Sequence, residues 1–341
     1  MRKGILSLAR LLVVLVLVMF ALGVGRMIWA ITTAPPAAAL SATALADPDG
    51  RFVTVRDITL YMVEAGPPEG QPIVLVHGLL GSTQDFAELI PVLASAGYRV
   101  LAIDRPPFGL SDKRASAPMT AASQADLLAE WLAELGLERA VWLGHSAGGA
   151  VVAQVALRHP ARVAGLVLVA PQIGGVANEE DAGNPLANPA LPALATIFLQ
   201  SLNPISIWAE AELRAYFKDT RLRDFLQAQL GIADVSDAMA SAEARFTRVR
   251  GWEAGLRAFG QAVLADRAPL RAGALSAMPR IPILIMWGEA DAFIPVGQGR
   301  QLQKALPTSA LIIYPRAGHQ PWRDLPEAFA RDLLAFLSRL S

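Results

Sequence analysis

Short unbroken apolar runs alternate along most of this chain with longer segments whose apolar residues recur at helical spacing. From Phe52 to Val63 the pattern reads as a hairpin turning through Asp57. Strand-length apolar runs follow at Ile73–Val76, Val100–Ile103, Ala140–Leu143, Val163–Val169, Ile281–Trp287 and Ala310–Tyr314. Helix-spaced segments near Gln84–Ala94, Met119–Leu135 and Ala150–Arg158 lie between the earlier ones. Unbroken apolar strands alternating with helices predict an α/β fold, a mostly parallel central sheet covered by helices on both faces. The alternation stops after Pro171. From about Gln172 to Ala277, Gly174-Gly175 and a polar, Asn- and Pro-bearing stretch give way to amphipathic segments holding Phe198, Trp208, Tyr216, Phe217, Phe225 and Trp252. This predicts a helical cap inserted into the sheet domain, with some of its aromatic residues lining an apolar pocket.

The N-terminal apolar run is of another kind. Leu11 to Gly25 is fully apolar apart from its glycines, and the run resumes after Arg26 through Met27-Ile-Trp-Ala-Ile31. That length spans the hydrocarbon of a bilayer if Arg26 snorkels or sits near an interface. Arg2, Lys3 and Arg10 precede the run and no basic residue lies between Arg26 and Arg51, so a cytoplasmic N-terminus and an extracytoplasmic remainder, periplasmic in a bacterium, are expected. The alternative is a secretory signal cleaved after Ala44-Leu-Ala46. The Ala- and Pro-rich stretch that follows completes the expected organisation: anchor 1–33, linker 34–50, first core segment 51–171, cap 172–277 and second core segment 278–341.

The chemistry concentrates at strand ends. Gly144-His145-Ser146-Ala147-Gly148 sits where the strand Arg139–Leu143 meets an apolar helix, the strand-turn-helix setting in which G-x-S-x-G holds a serine exposed at a strained apex. A serine hydroxyl is a weak nucleophile at neutral pH, so Ser146 needs a base and a carboxylate to orient that base. The strand Ile281–Trp287 ends in Gly288-Glu289-Ala290-Asp291, and the next strand leads to Gly318-His319. His319 is the candidate base and Asp291 the orienting acid, with Glu289 an alternative two residues earlier. The loop after Ile73–Val76, reading His77-Gly78-Leu79, offers the Leu79 amide, which with that of Ala147 forms a candidate oxyanion hole. His77 is expected to pack within its loop, and His145 to point away from the reaction.

Composition narrows the possibilities further. Lys plus Arg and Asp plus Glu both number 30, with no long basic run, so no nucleic-acid footprint is expected. Cysteine is absent, which excludes disulfides and thiolate metal sites, and the four histidines include no H-E-x-x-H spacing. No cofactor and no metal are expected.

Together these residues make the chain resemble the α/β-hydrolase superfamily from about Arg51 to the C-terminus. His77-Gly78 resembles its oxyanion-loop motif, Asp104-Arg-Pro-Pro-Phe-Gly-Leu-Ser111 its strand-end turn, Gly144–Gly148 its nucleophile elbow and Gly318-His319 its base loop. Pro107 stands where many relatives carry glycine, and Asp104 is expected to be a structural turn carboxylate. A serine at 146 sets the chain apart from the epoxide hydrolase and dehalogenase branches, whose nucleophile is aspartate. The resemblance implies a serine hydrolase acting on a small or medium apolar ester or related acyl compound. The same scaffold hosts carbon–carbon bond hydrolases, perhydrolases and non-hydrolytic proteins that carry a hydrophobic ligand, as in pigment biosynthesis. Trp322, three residues after His319, resembles a pocket residue of the carbon–carbon hydrolases or else packs before the last helix.

Overall fold

The computed structural model describes residues 2–174, 191–217, 237–266 and 270–340. Its frame is an eight-stranded sheet in the order β1-β2-β4-β3-β5-β6-β7-β8. The strands are β1 (Gly50–Val55), β2 (Ile58–Ala65), β3 (Pro72–Val76), β4 (Arg99–Ile103), β5 (Ala140–His145), β6 (Val163–Val169), β7 (Ile283–Gly288) and β8 (Ala310–Tyr314). β1 and β2 form the hairpin, β2 pairs antiparallel with β4, and the remaining pairings are parallel. The inner strands read as unbroken apolar runs because helices cover both faces: every residue of β5 and β7 is buried.

One face packs beneath α3 (Ala121–Glu134) and α4 (Ala147–Arg158), around Trp131, Trp142, Val152 and Leu168. The other packs beneath α2 (Leu89–Ser95) and the last helix, Pro326–Leu337, around Leu75, Leu143, Met286 and Phe329. Thr120 starts α3 with a capping box shared with Ser123. The helix expected over Gln84–Ala94 is divided into a 3-10 turn at Thr83–Phe86 and α2. Pro91 accounts for the division: it lacks an N–H and its ring crowds the carbonyl four residues back, so it is tolerated only near a helix start.

Between β6 and β7 the described chain is helical: α5 (Leu191–Leu202), α6 (Ser206–Tyr216), Asp237–Glu243 and Trp252–Ala265. Phe217, Phe246 and Trp252 pack edge to face as the core of this layer. Phe225, expected among its aromatic residues, lies outside the described residues.

The N-terminal helix, α1, runs from Arg2 to Thr33. Val14–Thr33 has a mean hydropathy of 2.3 and is almost wholly exposed, long and apolar enough to cross a membrane or to serve as a signal sequence. Its C-terminal end docks on α6 through Arg26, which donates to Glu212 at 2.7 Å. Residues 34–50 then run along the helical layer. Arg214 donates to Pro35 O, the Arg250 amide to Leu40 O, and Arg245 pairs with Asp47 at 2.6 Å.

Candidate active site

β5 delivers Ser146 to the C-terminal edge of the sheet and α4 begins immediately after it. Ser146 has φ 52° and ψ −121°, outside the regions a side chain normally tolerates. Such a conformation costs roughly 1–3 kcal/mol and persists only when its surroundings fix it. Here the Ser146 amide donates to Val169 O, and its carbonyl accepts from the Gly149 and Gln172 amides. Close packing on either side explains both glycines of the motif. A Cβ on Gly144 would lie 2.8 Å from the Gly148 carbonyl carbon, and one on Gly148 would collide with the carbonyl oxygens of Val76 and His77. Ser146 Oγ makes no hydrogen bond among the described residues and its side chain is half-buried.

The loop after β7 carries Asp291, whose Oδ1 accepts from the Phe293 and Ile294 amides at 2.8 and 2.9 Å. Its Oδ2 lies 2.7 Å from His319 Nδ1. Asp291, rather than Glu289, therefore meets the imidazole, and this bond places the Nδ1 proton toward the carboxylate and leaves Nε2 to act on a substrate or nucleophile. The Phe293 ring stacks on His319 with centroids 5.0 Å apart, and the His319 carbonyl is 3.0 Å from His145 Nε2. His145 is fully buried, and burial, followed by the neighbouring His319, holds its pKa well below the usual histidine range. As a neutral imidazole it donates from Nε2 and so pins the backbone of His319. Nothing in the motif announces this bond, because its acceptor lies 174 residues away.

The Ala147 amide follows Ser146 directly, and the Leu79 amide follows Gly78, which packs against Ser146. Neither donates a hydrogen bond among the described residues, and both residues line a cavity of about 580 Å³ together with Gln172, Phe198, Phe259 and Phe293. Gly78 packs between the two loops, its Cβ direction 3.2 Å from Ser146 Cβ. The other candidates have structural partners. Asp104 is buried and accepts from the Thr83 and Leu110 amides, both at 2.6 Å. Trp322 is buried against His145, Phe86 and Phe329, donates to Asp85 O, and does not line the cavity. No group of histidine and carboxylate side chains able to hold a metal occurs among the described residues.

A family model for the alpha/beta hydrolase fold matches residues 71–321. The chain belongs to that family. This alpha/beta hydrolase is 28% identical over 297 residues to the 2-hydroxy-6-oxononadienedioate/2-hydroxy-6-oxononatrienedioate hydrolase of Cupriavidus pinatubonensis, covering 84% of this chain and 94% of that protein. Among solved structures, an esterase from Rhodococcus is similar with a TM-score of 0.64 at 26% identity, covering 86% of this chain and 100% of that one. A membrane phospholipase A is similar in fold with a TM-score of 0.66 at 21% identity, over 100% of this chain and 99% of that one. The second likeness takes in the N-terminal helix as well as the sheet.

Proposed function

We propose that this alpha/beta hydrolase is a membrane-anchored serine hydrolase that cleaves a small or medium apolar carboxylic ester or a related acyl compound. The observation that carries the reading is the Asp291–His319 bond at 2.7 Å, with the His319 ring centroid 4.5 Å from that of His145, which immediately precedes a serine held at φ 52°, while the Leu79 and Ala147 amides line the adjoining cavity with no acceptor among the described residues. In the proposed cycle His319 Nε2 takes the Ser146 proton as Oγ attacks the carbonyl carbon. The Leu79 and Ala147 amides receive the developing oxyanion, and Asp291 stabilises the imidazolium. His319 returns the proton to the leaving alcohol, and water then releases the acyl group by the same steps. The Ser146–His319 hydrogen bond forms when substrate closes the site, as such bonds commonly tighten in the Michaelis complex.

The cavity lining favours a neutral acyl group. Among its described residues Arg105 is the single cation, and its three side-chain hydrogen bonds are all made within the protein. A dianion such as that named for the Cupriavidus relative would enter with little to neutralise it. That relative still motivates a second reading, carbon–carbon bond cleavage, which a 2-hydroxy-6-oxodienoate assay separates from ester hydrolysis. The test is turnover of p-nitrophenyl esters from acetate to palmitate by the full chain in detergent, with fluorophosphonate labelling. Ser146-dependent turnover and labelling are expected, with an optimum at short or medium acyl length. Ligand affinity with neither labelling nor turnover would replace the reading with a carrier role.

We place the catalytic layer on the extracytoplasmic side, beside the bilayer. Arg2, Lys3 and Arg10 precede the span, and the shared fold with a membrane phospholipase A supports a retained α1. The helical cap carries an apolar patch next to the anchor. Leu199 and Leu202 of α5 are 65% and 68% exposed, and Ile205, Ile207 and Leu264 are also exposed. Because Arg26 is paired with α6, it marks where α1 meets the catalytic layer. The Arg26–Glu212 pair then sets how the domain sits on the membrane. Arg26→Glu is expected to lower turnover of a vesicle-borne ester about fivefold relative to a soluble one, since it leaves buried Glu212 facing a like charge. The double variant Arg26→Glu/Glu212→Arg should restore the ratio; equal losses on both substrates would remove the orienting role.

A further inference from the structure

Arg105 is fully buried, yet its guanidinium makes hydrogen bonds only to neutral oxygens. Nε donates to His77 O at 3.0 Å, Nη2 to Gly78 O at 2.7 Å and Nη1 to Gln124 Oε1 at 3.1 Å. The side chain also lies 4.7 Å from the Phe108 ring centroid and borders the cavity. Burial disfavours the cation and pushes its pKa down to about 9, which leaves it protonated at neutral pH. The Asp85 carboxylate opposes this shift, yet holding the charge here with only neutral oxygens hydrogen-bonded to it is costly for the fold.

Its target explains what the charge does. Gly78 O accepts a second bond from His77 Nδ1 at 2.8 Å. The His77 tautomer is fixed because its Nε2 accepts from the Arg105 amide at 3.0 Å. Burial, then the adjacent Arg105, holds the His77 pKa well below the usual range, so the ring is neutral and Nδ1 is the donor. The Gly78 carbonyl and the Leu79 N–H belong to one peptide unit. Donors that draw electron density onto the carbonyl oxygen raise the positive charge on the amide hydrogen, and a charged donor does so most strongly.

We propose that Arg105 is a positioning residue that strengthens the oxyanion hole through the Gly78–Leu79 peptide, orienting that peptide and polarising its N–H toward the reacting oxygen. The inference rests on the serine hydrolase reading, in which Leu79 N–H is an oxyanion donor. When the tetrahedral intermediate forms, its oxygen, the Leu79 N–H, the Gly78 carbonyl and the guanidinium form one polarised chain, in a water-poor site where such an effect is large. The ground-state carbonyl, carrying little charge, gains much less. Arg105 therefore acts on kcat more than on KM.

The test compares full-length wild type, Arg105→Gln and Arg105→Lys in detergent, using p-nitrophenyl butyrate and two inhibitors of equal chain length. A trifluoromethyl ketone accepts Ser146 Oγ at its carbonyl carbon, with the serine proton passing to His319, and places an alkoxide in the hole. The matching methyl ketone, bound without addition, reports ground-state contacts. Arg105→Gln is expected to lose about 30- to 100-fold in kcat, somewhat less than the roughly 10²- to 10³-fold for outright removal of an oxyanion donor. KM and methyl ketone affinity should stay within twofold, and trifluoromethyl ketone affinity should fall in parallel with kcat. Arg105→Lys, which keeps a cation but loses the fork, should lose about five- to tenfold with the same split, and it decides the question if Arg105→Gln does not accumulate. Unchanged kcat in a soluble variant, or equal losses of both ketones, would reduce Arg105 to a structural brace. A wild type whose turnover is independent of Ser146 would instead overturn the serine hydrolase reading itself.

Discussion

Ser146→Ala is expected to lower ester turnover by about 10⁴- to 10⁶-fold while leaving the fold and the affinity for a non-reacting apolar ligand in place. The side chain is half-buried at the sheet edge and makes no hydrogen bond among the described residues, so removing Oγ deletes the nucleophile and little else. The strained backbone at φ 52° remains, because it is held by Val169, Gly149 and Gln172 through main-chain bonds. His319→Ala should cost nearly as much. Residues that act as one unit are non-additive, so Ser146→Ala/His319→Ala should be little worse than either single variant. Asp291→Asn isolates the third role: it keeps the shape but reverses the hydrogen-bond demand at His319 Nδ1, favouring the wrong tautomer, and should cost about 10⁴-fold in kcat. Steady-state kinetics with fluorophosphonate labelling checks all four. Retained turnover in Ser146→Ala, or additive losses in the double variant, would remove the covalent mechanism.

The residues in this test were legible because their signals are local. G-x-S-x-G between an apolar strand and an apolar helix, a strand ending in Gly-x-x-Asp and a loop ending in Gly-His each occupy a few consecutive positions. The parallel strands were legible for the same reason, since burial on both faces removes polar positions from the run. What remained unread depends on pairing across the chain. Arg105 looked like one letter of a turn motif, and its grip on His77 and Gly78 needs β3 and β4 to lie side by side. Arg26 suggested a snorkelling residue, whereas its partner Glu212 is 186 positions away. The stretch 34–50 read as a spacer from its alanines and prolines, yet its carbonyls and Asp47 are held by Arg214, Arg245 and Arg250. In each case the sequence displays the charged residue, and only the fold displays its acceptor.

Gly148→Ala offers the sharpest test of how the elbow is built, because one methyl group meets main chain on two sides. The added Cβ would collide with the carbonyl oxygens of Val76 and His77 and lie 2.8 Å from the Val76 carbonyl carbon. Neither oxygen belongs to a flexible side chain that can rotate away. Val76 ends β3, which is paired on both sides, and His77 O is held by Arg105 Nε. Relief requires either α4 to lift from the sheet or the end of β3 to recede. Overpacking of this kind costs about 3 kcal/mol, equivalent in a protein this large to a fall in melting temperature of roughly 4–5 °C. Activity should fall further than stability implies. Both adjustments change the spacing between the Leu79 and Ala147 amides, and loss of one aligned oxyanion donor costs about 10²- to 10³-fold in kcat. Gly273→Ala is the matched control, since its Cβ would meet no atom within 4 Å and the change should stay within about 0.5 kcal/mol. Equal melting temperatures for the two variants would mean that α4 does not approach β3 this closely. A destabilised Gly148→Ala with full kcat would mean that the two amides are not the groups that receive the oxyanion.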